Sequence, residues 1–97
     1  VGAEPTIAAL DSIGKLGKVQ LGSFDLSPTI LQTLADGNMA FAIDQQQYLQ
    51  GYLSVVDMTL YIQYGLLPGS KIILTGPGFV TPENAAQVIQ LSKEGIR

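Results

Sequence analysis

Cysteine and histidine are both absent from the 97 residues, which removes thiol nucleophiles, imidazole bases and the usual zinc and copper sites together. Positive charge is scarce: five Lys and Arg against eight Asp and Glu leave a net charge of −3, and the cations are scattered. Nucleic-acid binding needs a clustered basic footprint, so that class of partner is excluded. Nor does a basic amphipathic stripe suggest a membrane surface. Long unbroken apolar runs are missing as well. The longest apolar pattern, Leu49 to Leu67, is interrupted by Gln50, Asp57, Gln63 and two glycines, and does not read as a membrane span. The chain opens Val1-Gly2-Ala3-Glu4-Pro5 with no Met and no charged leader region, as expected of a processed protein or an internal fragment.

What is present is apolar enough, at 46% hydrophobic residues, to build the core of one small domain. A helix is expected from Pro5, with Ile7, Leu10 and Ile13 on one side and Gly14 and Gly17 available to end it. Val19 to Phe24 reads as a strand stopping at Asp25, with Gly22 marking close approach of another backbone or a ligand. Ser27-Pro28 opens a second helix carrying Ile30, Leu31 and Leu34, and Asp36-Gly37 closes it. Met39 to Ile43 is a second, buried strand. Helix, strand, helix, strand with short connections predicts parallel strands and right-handed crossovers, an α/β fold with a parallel three-layer sheet.

From Gln47 to about Tyr64, spacings of three and four predict a long helix with a wide apolar face, and Tyr48 and Tyr52 share a side. Core packing is the expected role of these tyrosines, ahead of stacking on a ligand. Gly65 to Ser70 is a turn or linker. Lys71 to Thr75 reads as a third strand, and Gly76-Pro77-Gly78 as a turn that redirects the chain. That triplet is not a phosphate loop, because neither three glycines spread over six positions nor Gly-Lys-Ser/Thr is present. Thr81-Pro82-Glu83 is expected to start the last helix, with Thr as cap and Pro at the first position.

The chemistry gathers where strands end. Asp44, Gln45 and Gln46 follow the second strand and Asp25 the first, so acids and amides reach the C-terminal rim, where open α/β sheets hold ligands. Carboxylates only accept hydrogen bonds, whereas glutamine both donates and accepts, a mixture suited to a neutral polyhydroxyl ligand such as a sugar. The same residues also fit a helix N-cap and its neighbours. Asp25 and Asp44 could form a carboxylate pair for glycoside hydrolysis, but no neighbouring residue argues for a raised pKa on either. No spacing of acids suits calcium or magnesium, so neither metal nor cofactor is expected.

Three runs in order carry a family resemblance. They are Gln20-Leu21-Gly22-Ser23-Phe24-Asp25-Leu26-Ser27-Pro28, then Ala42-Ile43-Asp44-Gln45-Gln46-Gln47-Tyr48-Leu49-Gln50-Gly51-Tyr52, then Thr75-Gly76-Pro77-Gly78-Phe79-Val80-Thr81. Together they resemble the C-terminal portion of type I periplasmic sugar-binding proteins, the ribose-binding-protein-like substrate subunits of ABC importers. The resemblance covers nearly the whole chain. It implies a non-enzymatic binding protein of two α/β lobes closing over a sugar, with Asp25 and Gln45 contacting hydroxyls and Asp44 and Gln46 as flanking candidates. It further implies that residues 1–46 belong to the C-terminal lobe, and that the helix within 47–70 packs on an N-terminal lobe. Residues 71–97 would then return as a hinge-crossing strand and tail helix. Many relatives have Pro where this chain has Gln47, so the helix entry is expected to differ slightly. The implied partners are a monosaccharide or polyol, the importer's membrane permease, and the remainder of a parent chain or a second copy covering the long helix. The implied location is the periplasm. Sugar-responsive transcriptional regulators share this fold, so the effector-binding core of a regulator is the alternative.

Overall fold

A computed structural model describes residues 2–97. Its elements run α1 (Ala3–Ser12), β1 (Gly22–Phe24), α2 (Pro28–Ala35), β2 (Phe41–Asp44), α3 (Gln47–Tyr64), β3 (Gly78–Val80) and α4 (Ala85–Lys93). The sheet order is β1-β2-β3. β1 and β2 are parallel, as the short helical crossover requires, with Gly22 opposite Phe41 and Phe24 opposite Ile43.

The third strand departs from expectation. Lys71 to Thr75 forms no strand, and β3 lies further on, antiparallel to β2, with Ala42 opposite Val80 and Asp44 opposite Gly78. A strand needs a ladder partner, and residues 71–74 lie out in solvent, with Leu74 80% exposed. The sheet is therefore mixed, not wholly parallel.

Strand alternation sorts the side chains cleanly. Ala42, Asp44 and Val80 point to one face and are buried. That face is covered by α1, α2 and α4, and Ile7, Ile30, Leu31, Leu34, Met39, Ala85 and Val88 complete the core. Phe24, Phe41 and Phe79 occupy the opposite face, where Phe41 and Phe79 meet edge to face at 5.9 Å. No helix covers that side among the described residues, so two of the three expected layers are present. Gly22 is needed here for close approach, though not to a backbone or ligand: a Cβ on it would lie 2.6 Å from Cζ of Phe41.

Local chemistry explains the helix ends. Ser27 caps α2 as expected, its Oγ accepting from the Ile30 N–H at 3.2 Å while donating to Oε1 of Glu4 at 2.6 Å, which ties α1 to α2. Helix α4 begins one turn later than the Thr-Pro-Glu signal predicts. Thr81 to Asn84 instead form a turn in which the Thr81 N–H donates to Oδ1 of Asn84 at 2.9 Å and the Ala85 N–H to the Thr81 carbonyl. At α3 the left-handed Gly65 closes the helix through its N–H to the carbonyls of Leu60 and Tyr61.

Helix α3 stands apart from this body. None of its residues is buried, and Ile62 is 77% exposed. Tyr48 and Tyr52 stack on each other at 6.2 Å rather than packing in a core, so the expected core role is not realised among the described residues. The projection lengthens the molecule to 58 × 25 × 21 Å, with a radius of gyration of 17.1 Å. A compact domain of about 100 residues has roughly 13 Å.

Candidate functional site

The site is built at the carboxyl ends of β1 and β2. After Phe24 the chain turns sharply: the Asp25 N–H still donates to the Ile43 carbonyl at 2.8 Å, but Asp25 itself takes φ 64°. Aspartate tolerates this left-handed conformation better than most residues. The turn carries its carboxylate sideways to the neighbouring strand end, where Nε2 of Gln45 donates to Oδ1 of Asp25 at 2.7 Å. Both side chains are exposed. An acid and an amide 20 positions apart are thus joined on one rim, as the strand pattern predicted.

Asp44 and Gln46, the flanking candidates, are placed differently. Asp44 has its side chain on the covered face and is 1% exposed. Its Oδ1 accepts from the Gln46 N–H at 2.8 Å and its Oδ2 from Nε of Arg97 at 2.6 Å. Both carboxylate oxygens are therefore engaged inside the protein. Asp44 and Asp25 do not form an open carboxylate pair. Gln46 takes φ 56° immediately before α3, and its Nε2 donates to the Thr75 carbonyl. Such a φ on a non-glycine residue without a short polar side chain is uncommon and marks a backbone held by its surroundings.

Two further residues hold the Gln45 backbone. Nε2 of Gln50 donates to the Gln45 carbonyl at 2.9 Å, and Oγ1 of Thr75 donates to the same oxygen at 3.1 Å. Thr75 thus donates to Gln45 and accepts from Gln46, lacing the start of α3 to the segment that leads into β3. Sequence reasoning missed Arg97, Thr75 and Gln50. Gln50 lay one turn into a predicted helix and was within reach of such reasoning; Arg97 is 53 positions from Asp44 and carried no local signal.

A groove of about 870 Å³ lies beside the rim, lined by Leu26, Pro28, Leu31, Tyr48, Ile89 and Arg97 among others. Neither Asp25 nor Gln45 lines it. The exposed acid–amide pair is the better ligand candidate, because it presents unspent acceptors and donors, whereas most of the groove's surface is apolar.

Comparison with known proteins shows that this α/β arrangement is similar to part of a lobe of type I periplasmic sugar-binding proteins. The chain is 33% identical over 84 residues to the xylose/arabinose-binding protein XylF of Sulfolobus acidocaldarius, a match covering 87% of this chain and 21% of that protein. Among solved structures, it is similar to a carbohydrate transporter from Acidothermus cellulolyticus 11B in complex with myo-inositol. That match has a TM-score of 0.79 and 32% identity, covering 98% of this chain and 33% of the other. A periplasmic ribose ABC transporter from Conexibacter woesei is similar at TM-score 0.77 and 25% identity, covering 98% and 32%. A galactofuranose-binding protein shares the fold at TM-score 0.72 and 24% identity. No family model matches the chain. The chain spans about a fifth of the curated relative and about a third of each solved structure.

Proposed function

We propose that this chain is part of the substrate-binding subunit of a sugar ABC importer, and that Asp25 and Gln45 hydrogen-bond hydroxyls of a monosaccharide or polyol. The observation that carries this reading is the 2.7 Å hydrogen bond joining the two side chains at the exposed carboxyl ends of parallel strands. A sugar hydroxyl donates one hydrogen bond and accepts others, so a carboxylate beside a carboxamide matches it from both sides. The relatives are named for xylose and arabinose, for ribose, and for a complex with myo-inositol, which supports a polyhydroxyl ligand.

The role is binding. With its carboxylate buried against Arg97, Asp44 is not open to divide acid and base work with Asp25. Residues 1–46 belong to the lobe that carries the sugar contacts, and 47–70 project to a second lobe supplied by the rest of the parent polypeptide. Residues 71–97 return to the first. The unburied α3 supports this, since apolar surface left in water forfeits roughly 25 cal/mol per Å². The protein works in the periplasm and delivers its sugar to a membrane permease; no helix among the described residues is long and apolar enough to cross a membrane itself.

The test is calorimetry on the full-length polypeptide with D-xylose, L-arabinose, D-ribose and myo-inositol. One of these binds, and Asp25→Ala weakens it several-fold or more while the protein still folds. Unchanged affinity in that variant removes Asp25 from the site.

A further inference from the structure

We infer that the pair formed by the buried Asp44 and Arg97 is a positioning latch for the sugar site: it fixes the left-handed turn at Gln46 and so holds the Gln45 amide against Asp25. This inference rests on the sugar-site reading above and adds residues that touch no sugar.

The chain of contacts is continuous. Arg97, just beyond α4, reaches back to the end of β2 and donates Nε to Oδ2 of Asp44 at 2.6 Å. The other oxygen of Asp44 takes the Gln46 N–H at 2.8 Å. That bond spans two residues and bends the backbone around Gln45, leaving Gln46 at φ 56°. From Gln46 the network continues to Thr75, whose hydroxyl returns to the Gln45 carbonyl at 3.1 Å. Gln45 is therefore held from both sides while its side chain stays free to meet Asp25 and a ligand.

The arrangement also explains an ionic pair in so small a core. A buried carboxylate tolerates loss of solvent only when paired and hydrogen-bonded. What an apolar residue lacks is an acceptor for the Gln46 N–H in its unfavourable conformation. Arg97 in turn fixes the rotation of the carboxylate, so that one oxygen faces Gln46. Binding strength depends on the fraction of molecules in the competent arrangement, so a latch that keeps Gln45 in place acts directly on affinity.

A double-mutant cycle between Arg97→Ala and Gln45→Ala in the full-length polypeptide tests this, with affinity for the best ligand of D-xylose, L-arabinose, D-ribose and myo-inositol read by calorimetry. If losing the latch lowers the competent fraction to about one tenth, Arg97→Ala weakens binding about tenfold in the wild-type background. In the Gln45→Ala background the same change has little further effect, because the group it positions is gone. Arg97→Lys keeps a cation near Asp44 and gives a smaller loss; it serves as the probe should the alanine variant not fold. Equal fold-changes for Arg97→Ala in both backgrounds, or none in either, overturn the latch while leaving the sugar site standing. If Gln45→Ala alone leaves affinity unchanged, the sugar-site reading fails and the latch fails with it.

Discussion

Replacing Asp44 by alanine is the sharpest probe of how the strand end is held. Asp44 is 1% exposed and accepts two hydrogen bonds, from the Gln46 N–H and from Nε of Arg97. Removing the carboxylate strands the part-buried Gln46 N–H, at about 1–3 kcal/mol for an unsatisfied buried donor. Breaking a fully buried ion pair typically costs about 3–5 kcal/mol. The Arg97 side chain is 26% exposed, however, so its guanidinium can turn to water and the stranded charge contributes less. The sum is about 2–4 kcal/mol, a large share of the roughly 5–15 kcal/mol that holds an ordinary domain together. Asp44→Asn keeps an acceptor for Gln46 and loses only the charge assistance, so it falls about 1–2 kcal/mol below wild type. Urea unfolding followed by circular dichroism measures both, and the alanine variant should move the midpoint down by roughly 1–2 M. An alanine variant within about 0.5 kcal/mol of wild type would refute the reasoning, because surface substitutions lie in that range. So would an asparagine variant as unstable as the alanine one, since the Gln46 contact would then contribute nothing.

Two further predictions concern stability elsewhere. Gly22→Ala sets a Cβ 2.6 Å from Cζ of Phe41; the ring is partly exposed and can swing, so the loss is about 1 kcal/mol, at the low end for overpacking, and Phe41→Leu should restore it in urea unfolding. Glu83 is held below the usual glutamate pKa by the Thr81 hydroxyl and then by its own backbone N–H, against a small opposing effect of burial. The folded-state pKa lies below the unfolded one, so the stabilisation is complete above the unfolded value and is lost as pH falls through the folded value. An NMR titration should therefore show Glu83 titrating low, and Thr81→Val should return it toward the ordinary value; an unmoved midpoint would contradict the assignment.

Much of the fold could be read in the chain because its signals are local. Ser27-Pro28 caps and starts α2, Gly65 stops α3, and a short helical crossover fixes β1 and β2 as parallel. Two of the failures share one cause. Lys71 to Thr75 has the composition of a strand, but a strand exists only if a neighbour offers a ladder, and here the ladder beside β2 is taken by Gly78–Val80. The tyrosines of α3 have the spacing of core residues, but a helix face becomes core only against a partner. Periodicity reports what a segment is able to bury, not what arrives to bury it.

The rim shows the same division at the scale of single residues. That Asp25 and Gln45 would meet followed from two strand ends lying side by side, and they do. That Asp44 would not share their exposure was also legible: in a strand alternating about Ala42, an inward Ala42 sends Asp44 inward and Gln45 outward. An inward carboxylate at a strand end must find a donor or a cation, because it cannot stay charged and unpaired. Which cation answers is a matter of tertiary contact, and Arg97 lay beyond any local pattern. Parity thus separates an exposed amide from the buried acid one position before it, and the demand for a partner points to a basic residue from a distant segment. Strand ends that present Asp-Gln in this phase should therefore divide the pair in the same way, the outward residue exposed at the rim and the inward one holding the turn.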